Sequence, residues 1–126
     1  MKKLSKTSSR VKRETHTIDA TDKVLGRLST GIALLLRGKQ KPGFVLYKDM
    51  GDFVVVKNVD KLKFTGKKMK QKKYYHHSGY LGGMKETPLE KLFEQRPQEV
   101  LKRAVFGMLP RNKLRSEMIK RLKFSK

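Results

Sequence analysis

The sequence contains no cysteine, few acidic residues and no long apolar run. Without cysteine the chain can form neither a disulfide framework nor a thiolate metal site, so we expect a reducing compartment, the cytosol. The longest apolar run, Ile32–Leu36, is far shorter than the roughly 18 residues that a membrane span needs. The basic N-terminal segment lacks the apolar stretch of a secretory signal, whereas an organellar transit peptide stays open. We therefore expect no membrane partner.

Positive charge is what the sequence has in excess. Its 126 residues include 32 Lys and Arg against 11 Asp and Glu, a net charge of +21. A soluble domain needs a net charge of only about 2 to 8 in magnitude. The surplus indicates a polyanionic partner or an anionic membrane surface, and an acidic small-molecule substrate would not require it. The polyanion is favoured, because the basic residues lie on several segments and only the last predicted helix is amphipathic. The length and the 37% apolar fraction fit one compact domain with a modest core.

Apolar spacing predicts a strand, a helix and a second strand in the first half of the chain. Residues 16–20 are typical of a short strand, and Thr21-Asp22 supplies a helix N-cap before apolar residues at helical spacing over 24–36. Gly38 ends that helix. The run Phe53–Val56 is typical of a strand buried on both faces. This order predicts a βαβ unit, hence a parallel sheet in an α/β fold.

The second half is predicted to pass from extended segments into helices. The segments predicted to be extended are Phe44–Tyr47, Leu62–Gly66 and Lys70–His77. A glycine-rich loop follows the last of them. A capping box then opens a helix, with Thr87 as cap, Pro88 at the first position and Glu90 completing the box.

Two more helices are predicted to follow. Pro97 starts one and Pro110 ends it, with an apolar stripe made by Val100, Leu101, Ala104, Val105 and Met108. The last is basic and amphipathic, with one apolar face made by Leu114, Met118 and Leu122.

A lysine run leads directly into aromatic rings in the middle of the chain. Lysines recur from Lys61 to Lys73 without an acid, and Tyr74-Tyr75-His76-His77-Ser78 follows at once. Lysine attracts phosphates, and Tyr and His stack on unpaired bases, so the pattern favours irregular RNA over regular duplex DNA. The alternative is a solvated hairpin face. Since neighbouring strand residues point to opposite faces, we expect one of the two tyrosines to be core.

Other motifs give less support to chemistry. His76-His77 point to opposite faces of a strand and no carboxylate lies close in sequence, so we expect no metal site. The glycine clusters lack the spacing of nucleotide-binding loops, so we expect no cofactor and no small-molecule substrate. Gly26-Arg27, at the start of the first helix, indicates either close packing or a close anionic ligand. An RNA-processing or RNA-modifying enzyme that uses His76 or His77 is the alternative function.

Several short blocks, in order along nearly the whole chain, resemble the large-subunit ribosomal protein L-thirteen family. They are Asp19-Ala20, Leu25-Gly26-Arg27-Leu28, Gly51-Asp52, Val54-Val55-Val56, Asn58, Thr65-Gly66-Lys67, Tyr74–Tyr80, Gly82-Gly83, Gly107–Pro110, Asn112 and Leu114. The sequence departs from the family pattern at Asp22, where Gly is usual, at Leu81, where Pro is frequent, and at Arg115-Ser116, where Gly-Arg often stands.

The resemblance implies a fold, a function and partners. The fold is a three-layer single α/β domain with a small parallel or mixed sheet flanked by helices. The function is a non-catalytic one: binding large-subunit ribosomal RNA and supporting early subunit assembly. The implied protein neighbours are large-subunit proteins, those of the L-three and L-twenty families. The implied location is the large ribosomal subunit, with bacterium and organelle both left open.

We therefore predict a basic N-terminal arm over residues 1–13 and one RNA-binding domain over residues 14–126, with a basic C-terminal helix. The arm is expected to gain order only on binding. The predicted RNA-binding residues form four groups. The arm supplies Arg10, Lys12 and Arg13, and the central cluster supplies Lys67, Lys68, Lys72, Lys73, Tyr74, His76, His77 and Ser78. The patch around the first helix consists of Arg27, Arg37 and Lys39, and the C-terminal patch consists of Arg111, Lys113 and Arg115.

Overall fold

The computed structural model describes residues 11–126. Strands and helices are mixed along the chain, and the last element is a strand. In chain order they are β1 (Thr15–Asp19), α1 (Leu25–Arg37), β2 (Phe53–Lys57), a 3₁₀ turn (Val59–Lys61), α2 (Lys68–Gln71), β3 (Lys73–His77), β4 (Met84–Pro88), α3 (Leu89–Gln95), α4 (Pro97–Met108), α5 (Arg115–Lys120) and β5 (Leu122–Ser125).

A three-stranded parallel sheet, in the order β1-β2-β5, forms the centre of the fold. The predicted βαβ unit is confirmed as β1-α1-β2. Val54 and Val56 of β2 are fully buried, whereas Phe53 and Lys57 are exposed. The prediction that this strand is buried on both faces was therefore wrong. The opposite face of the sheet, with Lys123 beside Val55, is exposed to solvent in the described chain.

One hydrophobic core joins the sheet to the helices. The predicted apolar stripe of α1 is buried, and α4 packs against it with Val100, Leu101 and Val105 fully buried. Met108, which was predicted to belong to the apolar stripe of α4, is 46% exposed. The α/β class and the single domain are confirmed. Within the described chain, no helix is long and apolar enough to cross a bilayer.

Helix α1 begins later than predicted, because Thr21 and Asp22 do not cap it. The Thr21 amide and hydroxyl donate to Asp19 Oδ1 at 2.9 and 2.7 Å, which makes a tight turn after β1. Asp22 lies in the left-handed region at φ 59°. Val24, whose side chain cannot cap, precedes the helix. Hydrogen bonds from Thr21, then from Asn58, lower the pKa of Asp19 to about 2.

The predicted extended segments are only partly confirmed. Phe44–Tyr47 forms coil and turn. In Leu62–Gly66 only Lys63 pairs, in an isolated bridge to Val24. In the segment Lys70–His77, α2 extends into the first residues and β3 takes the last five. For Leu62–Gly66 the signal was alternation of apolar and polar residues, and coil anchored at one or two apolar side chains gives the same pattern.

The C-terminal third contains two strands that the sequence did not indicate. Thr87 belongs to β4 and Pro88, which has no capping side chain, precedes α3, so the predicted capping box was wrong. Pro97 at the first turn of α4 is confirmed. The predicted last helix ends at Lys120, and Leu122 begins β5. Local spacing missed β5 because this strand exists through its pairing with the distant β2.

The buried carboxylate of Asp52, just before β2, connects the start of β2 to the start of β1. Asp52 is 1% exposed, and its oxygens accept hydrogen bonds from Gln40 Nε2 at 2.9 Å and the Glu14 amide at 3.2 Å. Lys41 Nζ lies 2.7 Å from Oδ1 and His16 Nε2 lies 2.9 Å from Oδ2. Burial alone raises the pKa of Asp52, but Lys41, His16 and the Glu14 amide outweigh it and the net pKa is lowered.

We expect the Lys41→Met variant to raise the pKa of Asp52, because the closest cation is lost while burial remains. A depressed carboxyl pKa contributes stability above the unfolded pKa of about 3.9, and this stability is lost as pH falls through the folded pKa. The variant should therefore begin to unfold at a higher pH than the parent. Carbon-detected NMR titration of the Asp52 carboxyl checks this. An unchanged titration midpoint would show that Lys41 does not set it.

Candidate nucleic-acid interface

The central lysine cluster surrounds the short helix α2. Lys67, Lys68, Lys72 and Lys73 are all exposed. Lys72 Nζ lies 5.5 Å from the centroid of the Tyr74 ring. Lys73 Nζ lies 3.4 Å from Glu86 Oε2, and both side chains are about half exposed. An exposed pair of this kind contributes little to stability, so Lys73 stays available to a stronger anion.

The two tyrosines of β3 take opposite roles. Tyr74 packs against the core, and its ring contacts two cations, Lys72 and the Arg103 guanidinium, which lies 5.0 Å from the ring centroid. Burial raises the pKa of Tyr74, although Arg103 acts in the other direction. Tyr75 is 61% exposed. One tyrosine is thus core, as predicted, but the ring exposed for stacking is Tyr75, which was not among the predicted site residues.

The hairpin of β3 and β4 carries the remaining central residues to one tip. His76, His77 and Ser78 are exposed. His77 Nδ1 accepts the Gly79 amide at 2.9 Å, which fixes the ring in the turn. Tyr80, in the same turn, is 79% exposed. Sequence reasoning missed Tyr80, although an aromatic residue inside a glycine-rich turn is a signal for an exposed ring.

A groove of 850 Å³ brings together segments that lie far apart in sequence. The first turn of α1, residues 64–66, α2 and the last turn of α4 line it. Three motif blocks that carry the family resemblance meet here, through Gly26, Gly66-Lys67 and Gly107-Met108. The lining residues include no acid, and four of them are cationic: Lys67, Lys68, Lys72 and Arg103.

Gly26 does not have the packing role that the sequence left open. A Cβ at this position would meet no heavy atom within 4 Å, so the glycine is not needed for contact inside the protein. Arg27 beside it is exposed. The Gly26 backbone faces the groove, whereas Arg27 lines a separate shallow surface with Lys23 and Gly31.

The predicted patch around α1 divides into two. Arg37 lies in the last turn of α1, with its guanidinium 5.2 Å from the Phe44 ring centroid. Lys39 follows the left-handed Gly38 and is exposed. Ten residues of helix separate Arg27 from Arg37, which is about 15 Å at 1.5 Å per residue. Arg27 therefore belongs with the groove end of α1 and Arg37 with the opposite end.

The C-terminal patch lies in the turn between α4 and α5. Arg111 and Lys113 are exposed, and Asn112 Oδ1 accepts the Arg115 amide at 3.1 Å, which shapes the turn. The Arg115 guanidinium lies 4.0 Å from the Phe106 ring centroid. This patch is separate in the chain from the lysine cluster.

The arm is fixed to the domain at its last residue. Arg13 donates to the carbonyl of Asp49 at 3.1 Å and to that of Gly51, so its guanidinium is already engaged. The Lys12 carbonyl accepts a hydrogen bond from Lys41 Nζ at 2.8 Å, while the Lys12 side chain is exposed. The boundary after residue 13 stays a prediction. Arg10, together with the rest of the arm before residue 11, lies outside the described residues.

The histidines do not form part of a metal cluster. Over residues 11–126, no group of three or more His, Cys, Asp or Glu side chains is placed to hold a metal ion. His16 pairs with the buried Asp52, while His76 and His77 lie on β3.

Comparison with known proteins gives the family. Residues 13–125 match the model of the family described as Ribosomal protein L13. The chain belongs to the ribosomal protein L13 family. The family that the sequence motifs indicated is therefore confirmed, and with it a ribosomal protein.

Curated relatives of the L13 family agree over almost the whole chain. Proteins named large ribosomal subunit protein uL13 from Nitratidesulfovibrio vulgaris and Psychrobacter cryohalolentis are 57% and 53% identical over 123 residues. One of the same name from Francisella tularensis subsp. holarctica is 50% identical over 123 residues. Each comparison covers 98% of this chain and 85 to 87% of the relative.

Proposed function

We propose that this L13-family chain binds large-subunit ribosomal RNA as a structural part of the large subunit, supports early subunit assembly, and performs no reaction. The observation that carries the proposal is the acid-free lining of the groove, where three lysines in and next to α2 lie with Arg103 of α4. Phosphates are the anions that such a surface meets in a ribosome. The exposed hairpin next to it adds the rings of Tyr75 and Tyr80.

Rings and cations together favour folded RNA with unpaired bases. Every base has a face that stacks on an aromatic ring, and unpaired loops and bulges leave that face open. Regular duplex DNA hides it. The presence of exposed Tyr75 beside Lys73 on β3, rather than lysines alone, supports RNA.

Protein neighbours and location complete the proposal. We infer contacts with large-subunit proteins of the L-three and L-twenty families from the resemblance, and a ribosome of the cytoplasm as the location. The exposed Leu46 and Tyr47, in the turn before β2, supply an apolar surface suited to a protein neighbour. Cross-linking mass spectrometry on purified large subunits would identify the neighbours.

We expect replacement of Lys67, Lys68, Lys72 and Lys73 by Ala to weaken RNA binding without unfolding the domain. Each lost phosphate contact lowers the slope of log affinity against log salt by roughly 0.7 to 0.9, so the slope should fall by about 3. All four side chains are exposed, so the melting temperature should change little. Fluorescence anisotropy with a fragment of large-subunit ribosomal RNA measures both affinity and slope.

The matched control removes the same charge elsewhere. A second variant replaces four exposed lysines outside the cluster by Ala: Lys48, Lys57, Lys91 and Lys120. If both variants lose the same affinity, net charge alone governs binding and the cluster is not a site.

Turnover is the competing outcome. His76 and His77 are neighbours on β3, so their side chains point to opposite faces of the strand. The His77 ring already accepts a hydrogen bond from the Gly79 amide. We expect the pure chain to protect ribosomal RNA at a one-to-one ratio and to leave it intact. Cleaved or modified RNA, lost in a His76→Ala or His77→Ala variant, would instead establish an enzyme.

A further inference from the structure

The groove beside α1 is open where its glycines could have carried side chains. A Cβ added at Gly26 or Gly107 would meet no heavy atom within 4 Å. Gly66 also faces open space, but its φ of +64° by itself explains a glycine. Gly26 and Gly107 both line the groove, at the start of α1 and the end of α4, and neither is explained by packing inside the protein.

The walls of the groove are apolar and its rim is cationic. Phe64 stands edge-on to Phe93 at 5.1 Å between ring centroids, which holds its ring in place, and Met108 is only half buried. Lys72 and Arg103 are held at the rim over Tyr74. The volume of 850 Å³ lies within the roughly 300 to 1,000 Å³ of small-ligand sites.

The charge of the lining distinguishes this groove from its neighbour. A groove of 870 Å³ between α4 and β5 is lined by Glu99 as well as by cations. Arg103 lines both grooves and pairs with Glu99 at 2.6 Å, so the three lysines are the cations that belong to the groove beside α1 alone. The groove beside α1 has no acidic lining residue. An apolar wall under a cationic rim matches a ligand that has a flat uncharged part joined to an anion.

We propose that this groove receives one unstacked nucleotide of the bound RNA. Its base contacts Phe64 and Met108, and its phosphate meets Lys67, Lys68 and Lys72, the lysines that line the groove. Lysines binding phosphates along a surface would need no groove, so the inference goes beyond the proposed function, on which it rests. The absence of side chains at Gly26 and Gly107 leaves the base its space.

The test fills the groove without changing its charge. Gly26→Leu and Gly107→Leu each place a side chain in it, and Gly31→Leu is the matched control, since Gly31 lies on α1 outside the groove with equally open space. The probe is the ribosomal RNA fragment that the parent chain protects. We expect the two filled variants to bind it roughly 5- to 150-fold more weakly, as for loss of one stacked base, with an unchanged salt slope.

Ultraviolet cross-linking with mass spectrometry locates the nucleotide directly. We expect RNA adducts on the peptides containing Phe64 and Met108 in the parent and in Gly31→Leu, and their loss in the filled variants, while adducts on the β3–β4 hairpin persist. If the parent chain binds the RNA but carries no adducts on these two peptides, the inference is overturned, even if a filled variant fails to fold. Normal binding by a folded filled variant also overturns it. Both results leave the proposed function standing, whereas a parent chain that binds no RNA removes both.

Discussion

RNA binding by this chain is expected to weaken by a factor on the order of 10³ to 10⁵ between 50 and 200 mM salt, if six to ten phosphates are neutralised. Each cation that contacts a phosphate releases a condensed counterion, and added salt opposes that release. Of the proposed contacts, Lys67, Lys68, Arg111 and Lys113 are exposed to solvent. Affinities at five salt concentrations, measured by anisotropy with one RNA fragment, give the slope.

The salt experiment has an internal control. A magnesium-free series and a series at constant magnesium separate folding of the RNA from binding of the protein. A slope near zero in both series would contradict an electrostatic mechanism, because a net charge of +21 would then have no part in binding.

The Arg121→Met variant should lose about 3 to 5 kcal/mol of unfolding free energy, the loss expected when one partner of a buried ion pair is removed. Arg121 is buried, and its guanidinium donates to Asp49 Oδ1 at 2.6 Å and to the Leu36 carbonyl at 2.8 Å. Methionine fills similar space but leaves the carboxylate of Asp49 without this cation. Urea unfolding followed by circular dichroism measures the change.

The neighbouring lysine is the matched control for Arg121. Lys120 Nζ lies 3.3 Å from Glu117 Oε1, but both side chains are largely exposed. The Lys120→Met variant should lose no more than about 1 kcal/mol, because water screens such a pair. Equal losses in the two variants would mean that burial of Arg121 does not set its contribution.

Elements that bury a local apolar stripe were predictable, because their signal lies within a few turns of chain. Helices α1 and α4 show this: their spacing placed Ile32, Leu36 and Val105 in the core, where the structure buries them. The strand β2 was also found, since β-branched residues favour strands. Its exposed face was not predicted, because exposure depends on what covers the sheet.

Elements defined by distant partners were missed. Strand β5 has four residues and exists through pairing with β2, and β4 forms by pairing with β3 across a glycine turn. The cap at Thr21 failed for a related reason, since Asp19 engages its amide and hydroxyl in a turn. The burial of Arg121 also depends on distant partners, since Asp49 in the loop before β2 and the Leu36 carbonyl of α1 accept its hydrogen bonds.

The lysine cluster could be named from the sequence as a candidate site, whereas the groove could not. A run of cations without an acid is visible in the sequence, so Lys67 to Lys73 could be named from it. The groove needs Gly26, Lys67 and Gly107 together, residues that only the fold brings to one place. Which of the two tyrosines is core was also not predictable: β3 turns Tyr74, a predicted site residue, towards the core and leaves Tyr75 exposed.

Footprinting of large-subunit ribosomal RNA with one equivalent of the pure chain tests the central claim most directly. Hydroxyl radicals report which backbone positions the protein covers, and the same RNA, recovered after the incubation, reports any reaction. We predict a defined set of protected nucleotides, protection that fades with salt, and RNA recovered uncut and unmodified. Uniform cleavage with no protected region, or RNA chemically altered by the chain, would contradict the account.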